Sequence, residues 1–135
     1  MFWLNASSLS SSVYFFLEWA FYGGRFERLG ETYPDSTLFG TNSNFTDPIQ
    51  GMAGNCYILA SMGAVAEFPS VLENVFLTKT TNTAGIYAVR FYIRGKPWYV
   101  TVDDEFFSST YYENGHSFAP TGANDNLWVP ILEKA

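Results

Sequence analysis

The hydrophobic pattern changes period near residue 85, and that switch limits the chain to a fold mixing helices and strands. Before it, residues 56–67 read CYILASMGAVAE. Tyr57, Ile58, Leu59, Ala60, Met62, Ala64, Val65 and Ala66 leave almost no polar face, which predicts a helix covered on every side. After the switch, residues 85–94 (GIYAVRFYIR) and 98–103 (WYVTVD) alternate apolar and polar side chains, the period of a strand. Arg94-Gly-Lys-Pro97 lies between them, so the two segments read as a β-hairpin. The chain has 135 residues, enough for one modest domain of α+β class.

The remaining segments fit around this frame. Asn55 stands where a helix N-cap is expected, and Pro69 suits the first turn of a second helix over residues 69–76. Ser10-Ser-Ser12 predicts the start of a helix over residues 13–22, which Gly23-Gly24 stops. Residues 25–48 are rich in Gly, Pro, Asn, Asp, Ser and Thr and read as loop. Asp103-Asp104-Glu105 lacks the alternating ligand spacing and glycine of an EF-hand loop and reads as the turn ending the second strand. Residues 124–126 cap a last helix carrying Leu127, Trp128, Ile131 and Leu132, with Trp128 expected in the core. Nothing after Glu133-Lys-Ala135 ends that helix, which predicts that it belongs to a longer protein.

Composition narrows the function. Hydrophobic residues are 47% and charged residues 15%, as expected of a chain that folds around a core. The net charge is −6 with 7 Lys and Arg in all, too few for phosphate contacts, so no nucleic-acid partner is expected. The longest apolar run near the N-terminus, residues 13–17, is interrupted by Glu18. That is far short of the ~20 apolar residues of a membrane span, and no basic segment precedes it as in a signal peptide. Asn5-Ala-Ser and Asn44-Phe-Thr match the glycosylation sequon, and chance explains both without a secretion signal. A single cysteine suits a reducing, cytoplasmic compartment. Aromatic residues reach 19%, which fits either core filling or a surface that packs on something else.

That single cysteine, Cys56, follows QGMAGN at the start of the apolar helix. There a thiol feels the positive end of the helix dipole and the free N–H groups of the first turn, both of which favour thiolate. Gly51 and Gly54 give the backbone room to bend and a substrate room to approach. Gln50 carries an amide that, with the Cys56 N–H, would form an oxyanion hole. Taken on spacing alone, a lone cysteine is more often a small buried hydrophobe than a nucleophile.

The stretch QGMAGNCYILASMGAVAEFPSVLENVF resembles the active-site segment of calpains, which are papain-like cysteine endopeptidases with the pattern Gln-Gly-x-x-Gly-Asp-Cys-Trp-Phe-Leu-Ala-Ala. The resemblance continues through AGIYAVRFYIRGKPWYVTVDDEF and resumes at NDNLWVPILEKA. It implies that residues 40–135 are the first, helix-rich subdomain of a calpain catalytic domain, cut off in its last helix. Residues 1–39 would be a loosely matched N-terminal extension. Cys56 falls at the nucleophile and Gln50 at the oxyanion-hole glutamine. Asn55 stands for the usual Asp, removing a negative charge beside the thiol, and Tyr57 for the usual Trp.

The resemblance also implies a Ca2+ ion held by Asp47, Asn126 and the carbonyls of Gly40 and Asn42. Asn126 stands where an acidic ligand is usual, and Asp125 is one residue away. Without the ion, Asp47 is a loop residue ahead of Pro48. A thiolate needs a base to shuttle its proton. The family's His and Asn lie in the second half of the core, and the lone His116 is in a loop of the first half. Two functions follow as expectations. One is a calcium-dependent endopeptidase acting on protein substrates together with the second half, these 135 residues alone being inactive. The other is a non-catalytic, calpain-like interaction module or pseudoenzyme.

Overall fold

The computed structural model describes residues 24–40, 48–51, 54–108 and 126–135. The expected helix at 13–22 and the loop bearing His116 lie outside them, as do Asn42 and Asp47. In chain order the elements are β1 (Arg25–Arg28), α1 (Leu29–Thr32), α2 (Cys56–Ala66), α3 (Pro69–Val75), β2 (Ile86–Ile93), β3 (Lys96–Asp103), β4 (Glu105–Ser108) and α4 (Trp128–Lys134). Helices and strands occur in separate runs, so the α+β class holds.

The hairpin is longer and its turn tighter than the sequence suggests. β2 pairs antiparallel with β3 from Ile86↔Asp103 to Ile93↔Lys96. Only Arg94 and Gly95 are left to turn, with φ of +52° and +76°, the left-handed pair that a two-residue hairpin loop requires. Lys96 and Pro97 therefore belong to the strand. Pairing puts Val89 with Val100 and Phe91 with Trp98 on one face, and Arg90 with Tyr99 and Tyr92 with Pro97 on the other. Tyr87 and Val89 are fully buried at the base of the first face, whereas Tyr92, Ile93, Trp98 and Tyr99 at the far end are each more than half exposed. The hairpin thus projects beyond its own core.

A second antiparallel pair was not expected. β1 pairs with β4, from Arg25↔Ser108 to Arg28↔Glu105, within a region that reads as loop. The turn at Asp103-Asp104 is real, but Asp104 does more than end a strand. It is 2% exposed, and its carboxylate accepts from Arg28 Nε at 2.8 Å and Gly30 N–H at 3.3 Å. Its carbonyl accepts from Leu29 N–H at 2.9 Å. One buried aspartate therefore fastens β1 and α1 to the end of the hairpin.

α4 is the centre of the core. Trp128, Val129, Pro130, Ile131 and Leu132 are all buried, surrounded by Leu29, Leu38, Leu59, Met62, Leu72 and Phe76. The helix begins one residue after Leu127, and Leu38 accepts from the Trp128 N–H at 2.9 Å. The expected cap at Asn126 is instead a parallel bridge to Thr37. α3 starts at Pro69 as expected and ends where Phe76 bridges Val89. There Phe76 meets Phe39 edge to face, with centroids 5.4 Å apart.

α2 departs from expectation on one side. Leu59, Met62 and Ala66 are buried, but Cys56, Tyr57, Ala60, Ser61 and Ala64 are exposed. Its apolar residues do surround the axis, but among the described residues nothing covers the side that carries Cys56.

The C-terminal end of α4 is held by charge. Lys134 Nζ binds Asp103 Oδ1 and donates to the Glu105 carbonyl at 2.6 Å. Lys134, and secondarily the Glu105 N–H, hold the Asp103 carboxyl below its usual range. A carboxyl lowered by folding stabilises the fold above its unfolded pKa and loses that contribution as pH falls through the folded value. The side chain of Asp103 is more than half exposed, so Asp103→Asn should cost less than about 1 kcal/mol at pH 7. Urea midpoints of parent and variant should converge below about pH 4. A gap that persists undiminished at pH 3 would assign the effect to something other than this ion pair.

Candidate active site

Cys56 is the first residue of α2. The helix starts here because the Asn55 carbonyl accepts from the Ile58 N–H at 2.9 Å and the Leu59 N–H at 3.3 Å. The thiol is exposed, which decides against reading Cys56 as a small buried hydrophobe. Just before it, among the described residues a Cβ added at Gly54 would meet no atom within 4 Å, and Gly54 is not among the positive-φ residues. Gly54 therefore contributes open space beside the thiol rather than an unusual backbone turn. Gln50 is exposed on the same approach segment.

Asn55 occupies the N-cap position, but its side chain does not cap. Its Nδ2 donates instead to Glu133 Oε1 of α4 at 2.5 Å, while its buried Oδ1 has no partner among the described residues. The residue beside the cysteine is thus tied to an element 78 positions away.

The residues expected to hold a metal are partly in view. Gly40 has φ +77°, and Asn126 is 4% exposed with its Oδ1 buried and, among the described residues, without a hydrogen-bond partner. The Thr37↔Asn126 bridge and the Leu127 N–H to Leu38 carbonyl bond of 3.2 Å bring the two segments side by side. Among the described residues no three His, Cys, Asp or Glu side chains gather as a metal site. Oxygen donors here are an amide and a carbonyl.

A family model described as calpain family cysteine protease matches residues 9–135. The chain belongs to the calpain family. It is 37% identical over 98 residues to the calpain-type cysteine protease DEK1 of Zea mays, covering 73% of this chain and 4% of that protein. The calpain-type cysteine protease ADL1 of Oryza sativa subsp. japonica matches to the same degree. Calpain-5 of Caenorhabditis elegans is 29% identical over 117 residues, 81% of this chain and 17% of the relative. The chain therefore spans a small part of the length of these calpains. The match begins well upstream of residue 40, so family likeness extends into the N-terminal segment.

One cleft in this calpain chain lies apart from Cys56. It measures about 390 Å³, between Arg28, Tyr33, Asn82, Tyr87 and Asp104, and neither Cys56 nor Gln50 lines it. Arg28 and Asp104 pair within it. Asp104 holds Arg28 above the usual guanidinium range, and burial pushes the Tyr87 phenol up. We read it as part of the scaffold. Among the described residues no helix is long and apolar enough to cross a membrane. Sequence reasoning missed Glu133 beside the cysteine, and no local signal marks it, because only the docking of α4 against the start of α2 brings it there.

Proposed function

We propose that this chain is the cysteine-bearing half of a calcium-dependent, papain-like endopeptidase core. The observation that carries this is the exposed thiol of Cys56 at the first residue of α2, with open space at Gly54, inside a span that matches the calpain family. In this reading the Cys56 thiolate attacks the scissile carbonyl, and the Gln50 amide and the Cys56 N–H receive the developing oxyanion. A second half of the core supplies the His that protonates the leaving amine and the Asn that orients it. The 135 residues by themselves would not turn over substrate. The lone cysteine fits a cytoplasmic protein.

Calcium would be held by the Asn126 Oδ1, the carbonyls of Gly40 and Asn42 and the Asp47 carboxylate. The unpartnered, buried Asn126 oxygen supports the fit, and calcium accepts amide and carbonyl oxygens. Bound there, the ion would supply positive charge to these oxygens and would act by aligning the two halves of the core. With Asn in place of an acid, the site binds more weakly than one with two carboxylates.

Alkylation tests the proposal. In the full-length protein with calcium, Cys56 should react with iodoacetamide at neutral pH at least about tenfold faster than a cysteine peptide, as expected of an activated nucleophile. Calcium should raise the melting temperature, and Asn126→Ala should remove that response. A thiol no faster than the peptide would sink the nucleophile assignment, and a melting temperature indifferent to calcium would sink the metal assignment.

The other reading, a non-catalytic interaction module, draws on the exposed Tyr57, Phe68, Tyr92, Trp98 and Tyr99. A stable, discrete oligomer with an unreactive Cys56 in sedimentation and labelling experiments would favour it.

A further inference from the structure

We infer that the β2–β3 hairpin is a docking arm for an extended, acidic segment of a partner protein, which adds to β3 as a third strand. Residues 86–102 hold three of the 7 Lys and Arg in the chain, Arg90, Arg94 and Lys96, and none of the 13 Asp and Glu. A basic arm thus stands on an otherwise acidic protein. Among the described residues no carboxylate pairs with any of the three cations. Arg90 donates to the Asn74 carbonyl at 3.0 Å, and its guanidinium lies 5.5 Å from the centre of the Tyr92 ring. Arg94 and Lys96 at the turn are exposed. Beside them Tyr92, Ile93, Trp98 and Tyr99 are each more than half exposed, with Trp98 on one face of the hairpin and Tyr92 and Tyr99 on the other. Cys56 takes no part in this surface, so the arm stands apart from the peptidase reading.

The backbone of β3 is what such a segment would pair with. Beside a two-residue turn, Ile93↔Lys96 is a hydrogen-bonded pair, and bonded pairs alternate with open ones along the ladder. Arg90↔Tyr99 and Ala88↔Thr101 are then open pairs, whose N–H and C=O groups turn outward. On β2 the outward groups are in use. The Ala88 carbonyl accepts from the Leu77 N–H at 2.8 Å, and the Ala88 N–H donates to Thr78 Oγ1 at 3.1 Å. On β3, among the described residues, the outward groups of Tyr99 and Thr101 have no backbone partner. Pro97, which has no N–H, also falls in an open pair, as expected of proline on an edge strand. An open edge of this kind takes up an added strand, and charge selects which one. Arg94 and Lys96 repel a second basic arm laid along β3 and attract carboxylates. A lipid surface fits less well, because an open sheet edge does not enter hydrocarbon.

The test uses the full chain and a fluorescein-labelled peptide, Glu-Val-Glu-Val-Glu-Val-Glu, read by fluorescence anisotropy. The peptide should bind, and the same peptide with Lys in place of Glu should not. The double variant Arg94→Glu with Lys96→Glu changes two exposed side chains, so it should keep the parent melting temperature and bind about tenfold more weakly. Raising NaCl from about 50 mM to about 500 mM should weaken binding to the parent by a similar factor. The Glu peptide N-methylated at every amide keeps its charges but cannot donate to β3, and should bind at least about tenfold more weakly. A Glu peptide that fails to bind overturns the inference. So does equal binding by the Lys peptide, by the methylated peptide or to the double variant. Binding to phosphatidylserine vesicles without binding to the peptide would put a membrane in the partner's place. A salt-sensitive dimer that the double variant loses, again without peptide binding, would put a second copy of the chain there.

Discussion

Gly85→Ala should destabilise the fold by about 3 kcal/mol or more, although it adds one methyl group. Gly85 lies just before β2 with φ +63°, a conformation that costs an L-residue about 1–2 kcal/mol. The larger effect is steric. An added Cβ would stand 1.8 Å from Arg28 Nη2 and 2.2 Å from Asp104 Oδ1, so the ion pair must move. The Asp104 side chain is 3% exposed and Arg28 is 33% exposed, so separation strands a carboxylate in the interior. Breaking such a pair by removing one partner costs about 3–5 kcal/mol, less here because Arg28 reaches solvent. The melting temperature should fall by roughly 10 °C. Arg28→Ala should also destabilise, and the double variant less than the sum of the two, because the closest clash is with Arg28 itself. An alanine variant within about 0.5 kcal/mol of the parent would mean that the Arg28–Asp104 contact carries little of the fold.

That knot marks the boundary of what the residue pattern reveals. The hairpin is legible because alternation over eight residues leaves one assignment open, and its turn residues agree with the pairing. α2 and α3 are legible from Asn55, Pro69 and the apolar run between them. β1 is not. Arg25, Glu27 and Arg28 give a four-residue strand that reads as polar loop, and it exists only because β4 lies alongside and Asp104 binds Arg28 from 76 residues away. The exposed side of α2 was misjudged for a related reason. An apolar helix surface predicts that something should cover it, but periodicity cannot say whether that cover lies in the same segment. At the site, the position of Cys56 and its open approach follow from Gly54, Asn55 and the helix start. The hydrogen bond from Asn55 to Glu133 is a product of topology, and no spacing rule links residues 55 and 133. Asn126 lies beside the segment that leads to Gly40 through the Thr37 bridge, again a contact between distant segments.

Trp128→Ala should be among the most damaging single changes in the core, and Trp128→Phe should be mild. Trp128 is fully buried at the first residue of α4. Truncating a buried Trp to Ala costs about 3–5 kcal/mol in lost transfer free energy and residual cavity, close to the whole stability of a small domain. The aromatic ring is what the core uses. Among the described residues the buried indole Nε1 has no hydrogen-bond partner, and an unsatisfied buried donor costs about 1–3 kcal/mol. Phe keeps most of the ring contacts and removes that donor. The loss of packing volume and the relief of the orphaned N–H then oppose each other, leaving a net change within about 1 kcal/mol. Urea denaturation of the three proteins would rank them. A Phe variant as unstable as the Ala variant would show that the indole nitrogen is hydrogen-bonded in solution. In that case the Trp128 N–H would be a polar anchor of the core in its own right.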